Sequence, residues 1–107
     1  MDQSIQSYLK PELDEASKVL LRAADLVEDG RLTWVQGSEN CRGSNVCAAI
    51  AIQRAADGTW GVAPEARARF AAAVGGGSTY DIWHWNDAPG RTQAEVVAKL
   101  RSVALGG

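Results

Sequence analysis

The sequence predicts a mainly α-helical fold, a small single-domain bundle of four helices plus one short extended or helical segment. Three observations carry that reading. Apolar residues recur at three- and four-residue spacing in several stretches, glycines and prolines punctuate the chain between them, and 107 residues suit one core. Hydrophobic residues make up 46% of the chain and charged residues 22%, which is enough apolar surface to fold rather than remain disordered. One helical domain is expected over residues 11–107. An N-terminal arm is expected over residues 1–10, where Ile5, Tyr8 and Leu9 are scattered among polar residues.

Pro11 presets the backbone angle of a first helical turn, and Glu12, Asp14 and Glu15 bring negative charge to its positive end. Leu13, Ala16, Leu20, Ala23 and Val27 then form one stripe, with Asp14, Lys18, Arg22, Asp25 and Asp29 opposite, and Gly30 stops the helix. Leu21 falls on the charged side, where no core needs it. Arg31 to Gly37 reads as a short strand or an extended linker, with Leu32 and Trp34 on one face. Ser38 to Ser44 is a polar loop carrying Cys41. Ser44 or Asn45 then caps a second helix through Val46 to Ala56, apolar on nearly every side and therefore expected at the centre of the core.

Asp57-Gly58 ends that helix, and Trp60 and Val62 lie in the next connection. Pro64 opens a third helix through Ala66, Phe70 and Ala73 to Val74, which the run Gly75-Gly76-Gly77 terminates. Ser78 and Asp81 have capping-box spacing, so Thr79 to Trp85 reads as a short helix; the alternation of Tyr80, Ile82 and His84 also fits a short strand. Asn86 to Gly90 are turn formers. Thr92 and Glu95 make a second capping box ahead of a last helix with Val96, Val97, Leu100, Val103 and Ala104 facing inward.

Three segments stand out together: Trp34-Val35-Gln36-Gly37, Cys47-Ala48-Ala49-Ile50-Ala51, and Trp85-Asn86-Asp87-Ala88-Pro89-Gly90-Arg91-Thr92. Their order resembles a family of small proteins from actinobacteria and their phages, built as a helix, Trp-x-Gln-Gly, Cys-Ala-x-x-Ala-Ile, and Trp-Asn-Asp before a final helix. The likeness runs from Leu20 to Ala104. Ala49 stands where many relatives have Gly, and the run Gly75 to Gly77 is longer than usual. The resemblance implies no activity.

The formal net charge of −2 removes the general attraction to phosphate on which most nucleic-acid and anionic-membrane binders rely. No apolar run approaches the ~20 residues that span a bilayer, and Met1-Asp2-Gln3-Ser4 lacks the basic start of a signal peptide. The expected location is the cytoplasm, where both cysteines are thiols.

Cys41, Cys47, His84 and Asp87 include the donor types of a zinc site, but the cysteine spacing does not match a zinc knuckle. A buried Cys47 behaving as a small hydrophobe and an exposed Cys41 are the commoner fates. Cys47 near a helix N-terminus, with His84 as base, is the one nucleophile the chain could assemble. No catalytic residue, metal or cofactor is assigned. Gly75 to Ser78 could cradle an anion, yet no P-loop lysine accompanies them, and a helix connection is the better reading. Arg54, Arg67 and Arg69 suggest a basic stripe, but residues 57–63 are too long a connection for a helix-turn-helix.

Trp83, His84, Trp85 and Leu21 are the partner-binding candidates, set against core packing as the ordinary fate of tryptophan. Trp85, Asn86, Asp87, Thr92 and Glu95 are expected to lock the start of the last helix. In that reading Trp85 fills the core, and Asn86 or Asp87 accepts N–H groups in the turn through Pro89-Gly90. The leading functional expectation is a non-enzymatic protein-interaction module, a phage-derived or accessory factor that binds a host protein or itself. A small nucleic-acid-associated regulator is the alternative, and a metal-binding or cysteine-dependent enzyme comes third.

Overall fold

The computed structural model describes residues 13–57 and 61–106. The expected arm over residues 1–10, together with Pro11, Gly58 and Trp60, lies outside them. Among the described residues there are five α-helices: α1 (Glu15–Glu28), α2 (Ala48–Ala55), α3 (Ala63–Val74), α4 (Thr79–Asn86) and α5 (Gln93–Ala104). Two short strands, β1 (Thr33–Trp34) and β2 (Asn45–Val46), and a 3₁₀ turn at Ser38–Asn40 lie between α1 and α2. The helix count is thus five rather than four, because the segment from Thr79 is helical. Its capping box settles the matter: Asp81 N–H donates to the Ser78 side chain, and the Asp81 carboxylate accepts Ser78 N–H at 2.9 Å.

Among the described residues the first helix opens at Glu15, where the Asp14 carboxylate accepts the Ser17 N–H at 2.9 Å and caps it; the expected opening at Pro11 lies outside those residues. Gly30, just past its end, takes the positive φ of 86° that a helix stop calls for. The second helix also starts later than its sequence suggests. Asn45 and Val46 are spent on a parallel pairing with Thr33 and Trp34, secured by Thr33 N–H to the Ser44 carbonyl at 2.8 Å and Val35 N–H to the Val46 carbonyl at 2.9 Å. Neither Ser44 nor Asn45 caps the helix, which opens behind Cys47.

α2 sits at the centre, packed against α1, α3 and α4, and its Ala48, Ala51 and Ile52 are fully buried. Four of its eight residues are alanines, small enough for neighbouring helices to approach closely. α1 lies most extensively along α5, where Leu20 and Val27 meet the layer of Val96 and Leu100. Phe70 from α3 and Ile82 from α4 complete the core; each such side chain contributes roughly 1.5–3 kcal/mol by leaving water. Leu21 lies on the charged side of α1 as expected, yet is half-buried against the core beside Leu26.

Exposed ion pairs tie the helix ends together. Arg69 of α3 holds both Asp14 and Glu65, and its guanidinium keeps the Asp14 carboxyl well below the usual carboxylate range. Arg101 of α5 spans Asp25 at 2.9 Å and Glu28 at 2.7 Å on α1. Surface pairs of this kind are worth little individually.

Candidate functional site

α4 is eight residues long and carries opposite chemistries on its two sides. Ile82 and Asn86, four apart, point inward and are fully buried. Tyr80, Trp83 and His84 point outward and are exposed, Tyr80 to 67% and Trp83 to 44%.

Asn86 is a buried amide whose polar atoms all have partners. Its Oδ1 accepts the Trp34 indole Nε1–H at 2.6 Å and the Ala48 N–H at 2.9 Å. Its Nδ2 donates to the Val35 carbonyl at 3.1 Å and to Asp87 Oδ1 at 3.0 Å. Reversing the amide would set donors against donors, so the surroundings fix its orientation. The Ala48 contact is a cap supplied from another helix: Cys47 makes no side-chain cap bond of its own, and Asn86 accepts one of the orphan N–H groups at the start of α2.

The neighbouring backbone is tied in by the same residues. Gln36 Nε2 donates to the Asn86 carbonyl at 3.0 Å and the Ala88 carbonyl at 2.9 Å. Gly37, at φ 87°, donates its N–H to Asp87 Oδ1 at 2.9 Å. Trp34, Gln36 and Gly37 therefore meet Asn86 and Asp87 in one hydrogen-bonded junction. Sequence reasoning marked Asn86 and Asp87 but sent their bonds to the Pro89-Gly90 turn; they run instead to the segment after β1. That turn is closed separately by Arg91 N–H on the Ala88 carbonyl at 3.1 Å. The signal was present in the sequence as the joint occurrence of Trp-x-Gln-Gly and Asn-Asp.

Residues 11–105 match DUF6197, a family of unknown function. The chain belongs to the DUF6197 family. The match takes in both halves of the junction, Trp34 to Gly37 and Asn86-Asp87, together with the outer face of α4. No curated protein and no solved structure matches the chain.

Trp85 is half-buried, packed against the core of this DUF6197 domain rather than enclosed within it. Its ring meets Phe70 edge to face at 5.4 Å, and the Arg91 guanidinium covers it 4.0 Å from the centroid. Arg91 Nε also donates to the Trp85 carbonyl at 3.0 Å. Thr92 and Glu95 complete the second capping box at 3.0 and 3.2 Å. On the outer side, Tyr80, Trp83 and His84 join Asp87, Ala88 and Pro89 around a groove of about 480 Å³.

The other candidate chemistries are dispersed. Among the described residues no three His, Cys, Asp or Glu side chains gather as metal ligands, so Cys41, Cys47, His84 and Asp87 do not form the zinc set their types suggested. Cys47 is buried, and burial pushes its thiol up, away from the thiolate a nucleophile needs. Cys41 is half-buried rather than exposed, because the 3₁₀ turn folds it back until its sulfur lies 3.8 Å from the Gly37 carbonyl. The Gly75 to Ser78 cradle is filled by the chain's own Asp81 carboxylate. A Cβ on Gly75 would stand 2.8 Å from the Asp81 Cβ, which is why glycine is required there. Arg69, one of the supposed basic stripe, is neutralised by Asp14 and Glu65.

Proposed function

We propose that this protein is a non-enzymatic protein-interaction module that docks its partner on the outer face of α4, through Tyr80, Trp83 and His84. The observation that carries the reading is Trp83, 44% exposed on a helix whose opposite side is fixed by buried Asn86. An aromatic side chain buries ~150–250 Å² when packed, so leaving rings in water forgoes stability that an interface recovers. Rigid, pre-positioned aromatics beside a groove are the usual anchors of protein interfaces.

The biological setting we propose is that of an accessory factor, of phage or bacterial origin, acting on a host protein.

The test is affinity capture from cells of the native source, with the parent chain and a Tyr80→Ala/Trp83→Ala variant compared by quantitative mass spectrometry. Loss of the partner by about 30-fold or more, the scale of a hot spot, is expected at unchanged thermal stability. Equal retention by both chains overturns the assignment. Sedimentation velocity on the two chains covers the case in which the partner is a second copy.

A further inference from the structure

A different face of the molecule carries a trough lined by both charged and apolar side chains. Between α1 and the end of α2 runs an open trough of about 630 Å³. Its apolar part is made by Leu21 and Leu26, both half-buried. Lys18, Arg22, Arg31 and Arg54 surround them, facing only two carboxylates, Asp25 and Asp57. That surplus of two positive charges sits on a chain whose net charge is −2.

Pairing with residues outside the trough reduces that surplus to one, Arg22 and Arg54 against Asp57. Lys18 is paired with Glu15 at 3.3 Å and Arg31 with Asp29 at 2.7 Å, while Asp25 is drawn away to Arg101. Among the described residues Arg22 and Arg54 have no carboxylate partner. Arg22 Nη1 reaches the Ala55 carbonyl at 3.5 Å, and Arg54 Nη1 reaches the Gly43 carbonyl at 2.8 Å. Arg54 lies in the last turn of α2 and Arg22 reaches its end, where the helix dipole supplies only about half a negative charge, so that even with Asp57 the two cations are not fully balanced.

We infer that this trough binds an acidic peptide segment of another protein, with carboxylates on Arg22 and Arg54 and apolar side chains over Leu21 and Leu26. Guanidinium and carboxylate match in geometry as well as charge, two N–H groups to two oxygens. The half-buried leucine surface favours an amphipathic acidic peptide over a phosphate backbone, which would find no use for it. This inference is independent of the α4 reading, because none of its residues lies on that helix.

The test uses the full-length ¹⁵N-labelled chain, titrated with a capped synthetic peptide that alternates glutamate and leucine pairs. A glutamine-for-glutamate peptide and a short single-stranded oligonucleotide serve as probes of the same length. Saturable shifts of backbone signals in residues 18–26 and 53–57 are expected with the acidic peptide. They should weaken about tenfold or more in ~0.5 M salt, where charges are screened within a few ångströms. The glutamine peptide and an Arg22→Ser/Arg54→Ser variant should each lose about tenfold or more. Leu21→Gln, which leaves the charges in place, should weaken the acidic peptide as well. The inference is overturned by absence of saturation, by equal affinity of the glutamine peptide, by unchanged affinity in the folded double variant, or by preference for the oligonucleotide. Both arginines are exposed, so a thermal melt equal to the parent's is expected to accompany the loss.

Discussion

The inner and outer faces of α4 are opposites in burial: Ile82 and Asn86 are enclosed, Tyr80 and Trp83 exposed. Ile82 and Asn86 have no contact with water, and Asn86 joins α4 to the segment after β1 and to the first turn of α2. One turn away, Tyr80 and Trp83 present aromatic rings to solvent. An eight-residue helix has little stability of its own. The buried amide and the Ser78 cap make it rigid, and rigidity is what lets exposed rings bind without first being ordered.

The largest expected effect of substitution on this helix is at its inner face. Asn86→Ala leaves the Trp34 indole N–H and the Ala48 N–H without their acceptor and the Val35 carbonyl without this donor. At about 1–3 kcal/mol for each unsatisfied buried group, partly relieved by entering water, a loss of about 4 kcal/mol is expected in urea unfolding. Asn86→Leu separates hydrogen bonding from packing: it should destabilise comparably, and a neutral result would reduce the junction to apolar contact.

Trp85→Ala comes next. The ring is half-buried, so about 2 kcal/mol is expected rather than the ~3–5 kcal/mol of a fully enclosed aromatic, measured by the same unfolding curves. Part of that loss is the stacking of Arg91, and Arg91→Met should reproduce that part.

The order of these effects departs from what residue types alone suggest, and the reason is physical. α1 and α5 are legible in the sequence because apolar spacing and side-chain caps are local signals, and α3 is legible from its apolar spacing and the proline in its first turn. The helical state of α4 is legible for the same reason, through Ser78 and Asp81. The start of α2 is not. Asn45 and Val46 pair with a strand beginning twelve positions earlier, and the N–H of Ala48 is capped by a residue 38 positions later, so no window around residue 45 contains the deciding partners. Tryptophan misleads in the same way. Its apolar surface predicts burial, but whether Trp83 or Trp85 is covered depends on which side of α4 faces Phe70.

Smaller effects belong to the caps. Thr92→Ala and Ser78→Ala should each cost about 1 kcal/mol, with hydrogen exchange speeding first in the opening turns of α5 and α4 respectively.

The dependence on pH should be smaller still. Asp14, Glu28, Asp29 and Asp81 have folded-state values below their unfolded ones. Their stabilisation is therefore complete above the ordinary carboxylate range and is lost as pH falls through the lower folded values. A urea midpoint that is flat near neutrality and declines below about pH 4 is expected. Arg69→Gln should flatten part of that decline. These groups are exposed, so the total change is modest.

The smallest expected change in stability is at the outer face. Tyr80→Ala/Trp83→Ala should unfold within about 0.5 kcal/mol of the parent, as exposed substitutions do. Measured in parallel with partner capture, this double variant decides whether α4 holds with one side and presents with the other. A parent-like unfolding midpoint with the partner lost is the predicted result; a lowered midpoint with the partner retained in proportion to folded protein would contradict it.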